Sequence, residues 1–218
     1  VTISLSGTGT AQMASYTVKH YQQNLDDTYP AEPTYTETFS AEVGATVTPA
    51  VKSYEGFTAT TAKSVEATAD GNAVVEYQYT RNSYTLTWEL DGGTITTTGT
   101  TAGQVKYGAP LKAPTVEKTN FQFKSWTPAV PETMPADAAT YTAQWTPIYT
   151  ITWLANGHEH HVQTDIEGTA IDVPADPEAA TYACDDKVFV GWTATQIDGS
   201  TDTEPADILK KKTDKVEN

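Results

Sequence analysis

Apolar and polar residues alternate in three stretches of the chain that open alike. The stretches are SYTVKHY from Ser15, SYTLTWEL from Ser83 and IYTITWLA from Ile148. In the second stretch Tyr84, Leu86 and Trp88 occupy every second position, with threonine between them. Successive side chains of a strand point to opposite faces of a sheet, so the alternation predicts three strands that each bury one face.

Two further sequence motifs follow each opening strand in the same order. A glycine, an aliphatic residue and a proline come first, in GATVTP from Gly44, GAPLKAP from Gly108 and GTAIDVP from Gly168. An aromatic mark comes next, in YEGF ending at Phe57, FQFKSW ending at Trp126 and KVFVGW ending at Trp192. Such self-similarity over a distance of about one small domain predicts tandem β-rich modules.

The repeats divide the chain into residues 1–14, 15–81, 82–147 and 148–218. The first segment is expected to be a linker or the end of a preceding repeat, and the last a divergent or truncated copy, because no closing aromatic strand follows Trp192. The junctions TRNS and TPI are short and leave little room for a hinge. Both ends, and a start at Val1 without a signal peptide, indicate a processed or excised part of a longer array.

These motifs resemble two families of bacterial surface repeats. The second copy, with YTLTWELDGGT, VKYGAPLKAP, FQFKSW and TYTAQW, resembles the internalin-type B-repeat (Listeria-Bacteroides repeat), and the third is similar through YTITWLANG, EGTAIDVP and FVGW. Asn120 stands where that family usually has glycine, and Ser125 also departs from its pattern. The first copy, which closes on VVEYQY, resembles the mucin-binding-protein repeat, MucBP.

The resemblance implies a fold and a function. The fold is mainly β, with small β-grasp-like (ubiquitin-like) modules in an elongated array and little helix. The function is that of a non-catalytic extracellular region at the bacterial cell surface or wall, which adheres to a host protein, a mucin or a glycan. Two alternatives stay open: a passive stalk that projects a distal domain, and an accessory module of a surface glycan-active enzyme.

Charge narrows the range of partners. The 218 residues include 28 Asp and Glu against 13 Lys and Arg, a net charge of −15. Such a chain repels the phosphates that dominate nucleic-acid affinity, so nucleic acid is not expected as a partner. Membrane insertion is not expected either, because no run approaches the roughly 20 apolar residues that a spanning helix needs. The chain is expected to be monomeric. Its single cysteine, Cys184, cannot form a disulfide within the chain.

The stretch NGHEHHVQTD at 156–165 holds three of the four histidines. A zinc-peptidase motif would need a second histidine ligand at Val162. Strand alternation would place His158 and His160 on one face, and two histidines are too few for a complete zinc site. The prediction is a solvated strand after a turn, with weak adventitious metal binding at His158 and His160 as the alternative.

The remaining candidates also favour structural roles. His20 is expected to fill the position that tryptophan has in the other copies, and Cys184 lies beside acidic residues that disfavour a thiolate. The acidic run 198–204 lacks the residue order of a calcium loop. The five tryptophans are expected in module cores, with sugar stacking as the alternative: Trp88, Trp126, Trp145, Trp153 and Trp192. No catalytic residue and no cofactor are expected.

Overall fold

The computed structural model describes residues 10–178 together with Thr181, Phe189, Gly191 and Trp192. The predicted β class is confirmed, because about half of the described residues lie in strands and there is essentially no helix. The β-grasp modules and the elongated array stay predictions. The strands are β1 (Met13–Gln22), β2 (Tyr35–Glu42), β3 (Thr46–Val47), β4 (Phe57–Ala59), β5 (Val65–Glu66), β6 (Ala73–Arg81), β7 (Ser83–Glu89), β8 (Thr94–Thr97), β9 (Gly103–Lys106), β10 (Thr115–Glu117), β11 (Phe121–Thr127), β12 (Ala139–Ala155) and β13 (His158–Ile166).

The chain forms two compact units. Unit 1 comprises Val1–Trp88, Gly99–Ala113 and Val130–Tyr141, and unit 2 comprises Glu89–Thr98, Pro114–Ala129 and Thr142–Asn218. The division at 14, 81 and 147 stays a prediction. Residues of the predicted second copy contribute to both units, and the predicted junction after Trp145 lies inside β12 instead of in a loop.

A four-stranded sheet in the order β2-β1-β6-β4 forms the first part of unit 1. The parallel pair β1 and β6 lies at its centre, with Tyr16 opposite Ala73 and Gln22 opposite Tyr79. The antiparallel strand β2 lies along the other side of β1 without a break in register. Alternation on β1 and β6 is regular, so one face of the sheet is buried and the other is open to solvent.

The buried face of this sheet carries a core rich in tyrosine. Its buried residues are Tyr16, Val18, Ala73, Val75, Tyr77 and Tyr79. Partly buried side chains pack against them from the segment that contains the short ladder of β3 with β5, including Val47, Val51, Tyr54 and Val65. This ladder and its loops therefore cover the face, and residues 10–178 contain no helix that does so.

Unit 1 also holds part of the predicted second copy, in which β7 pairs with β9. The guanidinium of Arg81 donates a hydrogen bond to the backbone oxygen of Tyr107 at 2.9 Å and lies 4.7 Å from the ring centre of Phe57. Gly56 has a φ of 74° and lies directly under the Tyr107 ring. Residues of the predicted first copy thus pack against part of the predicted second copy inside unit 1.

Unit 2 contains two antiparallel pairings along β12. Strand β11 pairs with the part of β12 around Trp145, and β13 pairs with the part from Ile148 to Ala155. One buried hydrophobic cluster of this unit consists of Trp153, Ala155, Ile171 and Trp192. Asn120 has a φ of 62°, a left-handed conformation that glycine adopts freely and asparagine tolerates, so its departure from the family pattern does not prevent the turn.

Candidate functional site

The histidine-rich stretch follows a hairpin turn, as predicted. Asn156 and Gly157 both have positive φ, at 48° and 79°, which is the backbone of a tight hairpin turn. Strand β13 begins directly after the turn at His158, and both His158 and Glu159 are exposed. The prediction of a solvated strand is confirmed at its start.

The regular alternation expected for these histidines is wrong because β13 contains an irregularity in register. His158 lies opposite Ala155, Glu159 opposite Leu154, and His161 opposite Trp153, so His160 is an additional residue of the bulge. Residues opposite each other share a face of the sheet, so His161 lies on the same face as Trp153. The His160 ring packs 5.3 Å from the Trp192 ring, and its Nε2 lies 3.0 Å from the Ala175 oxygen.

The absence of a metal site stays a prediction, with weak metal binding at His158 and His160 as the untested alternative. Among the described residues no group of three or more histidine, cysteine, aspartate or glutamate side chains is placed to hold a metal ion. Cys184 and the acidic run 198–204 lie outside the described residues.

His20 is buried in unit 1 within a ring of aromatic side chains. Tyr35, Tyr54, Tyr77 and Tyr79 surround it with ring centres 5.7 to 6.2 Å away. It therefore occupies a core position of its strand, as predicted, and its exposure is 0%. Both ring nitrogens have partners, which is what a buried polar side chain requires.

Hydrogen bonds around His20 connect three strands and a loop. The Tyr79 hydroxyl accepts the backbone N–H of Lys52 at 3.2 Å, so its own hydrogen can be donated to Nδ1 of His20 at 2.8 Å. Nε2 of His20 lies 3.1 Å from a Glu37 oxygen, and because a carboxylate only accepts, Nε2 is the donor of this bond. The other Glu37 oxygen lies 2.9 Å from Nζ of Lys52.

Electrostatics keep Glu37 ionised. The hydrogen bond from Lys52 is the largest cause that lowers the pKa of Glu37, and the hydrogen bond from His20 adds to it. Reciprocally, the bond to Glu37 raises the pKa of Lys52. Burial raises the pKa of Tyr79 above its usual value, so this hydroxyl keeps its proton. Each polar side chain of this network has a hydrogen-bond or ion-pair partner. The network therefore has a structural role, and it fixes the Glu37 carboxylate on β2.

An aromatic patch lies on the surface of unit 2. We define it as Phe121, Phe123, Trp126 and Trp145 together with the Lys118 side chain. Phe123 lies opposite Trp145, with ring centres 5.6 Å apart, and the Phe123 and Trp126 rings are also 5.6 Å apart. Phe123 is 36% exposed, and the rings of Trp126 and Trp145 are half-buried.

A bulge in β11 brings these rings to one face. Phe123 and Trp126 are three positions apart, a spacing that would separate them in a regular strand. The register shifts between Phe123 and Ser125, which restores Trp126 to the face of Trp145. The spacing F-x-x-W was the signal in the sequence that could have predicted this bulge. Phe189 and Trp192 have the same spacing, and their rings are likewise in contact at 5.1 Å.

Contacts with neighbouring residues of unit 2 hold the rings of the aromatic patch in place. Nε1 of Trp145 donates to the Leu90 oxygen at 3.0 Å, and Gly93 lies directly under the Trp145 ring. Nζ of Lys118 lies 4.4 Å from the Phe121 ring centre and donates to the Asp91 oxygen at 2.7 Å. A shallow cleft lined by Gly92, Thr94, Glu117, Lys118 and Thr119 adjoins the patch. These contacts fix the positions of the rings.

The prediction that tryptophans occupy module cores holds for two of the five. Trp153 and Trp192 are buried, with ring centres 5.2 Å apart. Trp88 is half-buried, and its Nε1 donates to the Thr100 oxygen at 2.8 Å. Trp126 and Trp145 leave part of each ring open in the aromatic patch, so the sugar-stacking alternative stays available for them.

Comparison with known proteins finds no family model that matches the chain and no matching curated protein. Among the described residues, no helix is long and apolar enough to cross a membrane.

Proposed function

We propose that the chain is a non-catalytic, extracellular part of a bacterial surface protein and that it binds a mucin or another host glycan. The location and the adhesive role are supported by the resemblance of its repeats to the internalin-type B-repeat and to MucBP. The single observation that carries the binding role is the aromatic patch with its part-exposed rings.

The chemistry of the aromatic patch suits a sugar. A pyranose ring presents C–H groups on its faces and hydroxyl groups around its rim. The faces of Phe123 and Trp126 offer flat apolar surface, and aromatic side chains of this kind dominate the energetics of interfaces. Threonine, glutamate and lysine in the adjoining cleft offer donors and acceptors for the hydroxyl groups.

Binding of the full chain to an immobilised panel of mucins and host glycans tests the proposal. We expect saturable binding that Phe123→Ala weakens at least tenfold, because the substitution removes the most exposed ring of the patch. Leu154→Ala is the matched control, since Leu154 is another exposed apolar residue of unit 2, at 51%, outside the patch. Both variants are first compared with the parent chain by thermal unfolding.

Two outcomes contradict the proposal. Absence of saturable binding across the panel would favour the passive stalk. Equal affinities of the parent chain and Phe123→Ala would remove the aromatic patch as the binding surface.

A further inference from the structure

We propose that the outer edge of β2 binds an extended basic peptide by strand addition. Strand β2 is the last strand of its sheet, and within the described part of the chain no strand pairs with its outer side. An edge of this kind presents unused backbone donors and acceptors that another extended chain can complete. The site lies in unit 1 and is independent of the aromatic patch.

The hydrogen bonding of β1 shows which backbone groups of β2 point outward. The Val43 N–H donates to the Gln12 oxygen at 2.8 Å, and this bond continues the register of β1 with β2. In an antiparallel pair, every second residue exchanges hydrogen bonds with the partner strand. Glu37 and Phe39 are therefore bonded to β1, and the N–H and C=O groups of Thr36, Thr38 and Ser40 face away from it.

Strand β2 lacks most features that protect exposed edges. It is eight residues long, its sequence YTETFSAE contains no proline or lysine, and its register shows no bulge. The usual protections are short edges, charged side chains (lysine above all), proline, bulges and charges that point toward the core side. Of these only two acidic charges are present, Glu42 and Glu37, and the charge of Glu37 is balanced by Lys52. The edge is thus long and regular enough to bind a strand.

Two aromatic rings along this edge favour apolar side chains in the added strand. Tyr35 is 48% exposed and Phe39 is 42% exposed. The Tyr16 ring stacks on Phe39 at 5.5 Å, and Nζ of Lys52 lies 4.3 Å from the Tyr35 ring centre. An added strand would place every second side chain beside these rings, because cross-strand neighbours share a face.

Charge selects a basic peptide over a second copy of the chain. The whole chain carries −15, and β2 itself contributes Glu37 and Glu42 without a basic residue. Two such edges would bring like charges together, whereas lysines of a peptide would lie near Glu42 and in the favourable field of the acidic chain. The occupant is therefore an extended segment in which apolar residues alternate with basic ones.

Hydrogen exchange on the full 218-residue chain tests this inference. The probe is a synthetic nine-residue peptide in which valine alternates with lysine. We expect saturable binding that slows exchange of the Thr36, Thr38 and Ser40 amides at least tenfold. The Glu37 and Phe39 amides should change little, since they are already bonded to β1.

Two substitutions at one position separate backbone pairing from side-chain contacts. Thr38→Pro removes an outward N–H without removing a bond to β1, and proline is tolerated on the open side of edge strands. We expect it to weaken peptide binding at least tenfold. Thr38→Val keeps the N–H and should bind the peptide as the parent chain does. If Thr38→Pro fails to fold, a peptide methylated at every backbone nitrogen decides the question, because full methylation blocks pairing on both of its edges.

Three results would overturn the inference. The first is equal peptide binding by the parent chain and by a folded Thr38→Pro variant. The second is equal binding of the methylated and unmethylated peptides to the parent chain. The third is protection of Thr36, Thr38 and Ser40 that rises with protein concentration without peptide, which would identify a second copy as the occupant. None of these depends on the glycan panel, so this inference and the proposed function can fail separately.

Discussion

At the scale of single residues, the place of His20 could be predicted from the sequence and its partners could not. Its position in the opening strand matches a tryptophan of the other copies, which indicates a core position. Its partner Glu37 lies 17 positions away, on a strand whose pairing no local pattern specifies. Lys52, which forms an ion pair with Glu37, lies in a loop that only the folded structure brings close to β2, so no sequence pattern predicts this pair.

Acid should weaken unit 1 through Glu37. Its pKa is lowered in the folded chain, so its stabilising contribution is present above the ordinary value of 4.5 and is lost as the pH falls through the folded value. We expect Glu37→Gln to melt below the parent chain at pH 7, with the gap narrowing toward pH 3. Calorimetry across this range, with Glu55→Gln of an exposed glutamate as control, checks the effect. A gap that stays constant with pH would contradict it.

At the scale of elements, regular alternation predicted the strands well and irregular positions poorly. The opening strands β1 and β7 and the turn at Asn156 lie where the pattern places them. Alternation alone does not predict the bulges in the pairings of β11 and β13, because a period of two carries no information about an inserted residue. Two predicted strands form the single strand β12, because the residues of TPI continue the strand where the sequence predicts a junction.

The packing of the first copy on the second should make Gly56 far less tolerant of substitution than another glycine. Gly44 and Gly56 both have positive φ, at 86° and 74°, but a Cβ at Gly44 meets no atom within 4 Å, whereas one at Gly56 meets the Tyr107 ring. We expect Gly44→Ala to cost about 1–2 kcal/mol of unfolding free energy from backbone strain. Gly56→Ala should cost about 2–5 kcal/mol, because displacement of the ring adds to that strain.

Chemical denaturation of both glycine variants, followed by circular dichroism, measures the difference. Equal losses for the two would show that the contact of Gly56 with Tyr107 contributes little to unit 1.

At the scale of the whole molecule, charge is the property that the sequence determines most completely. A net charge of −15 follows from composition, and self-repulsion of this size destabilises a compact state. The division into two units could not be predicted in the same way. Each unit combines segments that are distant in sequence, and the repeats suggested boundaries within which each copy would be self-contained.

Salt should stabilise the chain at neutral pH. Raising NaCl from about 10 mM to about 150 mM shortens the screening length from about 30 Å to about 8 Å and weakens the self-repulsion. We expect Tm at pH 7 to rise by a few degrees over this range. Near the isoelectric pH of 4.4 the rise should disappear, because little net charge remains to be screened. Differential scanning calorimetry at both pH values checks this, and a falling Tm at pH 7 would contradict it.

The distribution of the five tryptophans has an optical consequence. Trp126, Trp145, Trp153 and Trp192 belong to unit 2, and unit 1 contains only Trp88. Emission excited at the red edge of the absorption band, where tyrosine is transparent, therefore comes mostly from unit 2. The tyrosine-rich core around His20 contributes little emission in such an experiment. Thermal unfolding followed by this fluorescence therefore reports chiefly on unit 2, which carries the aromatic patch.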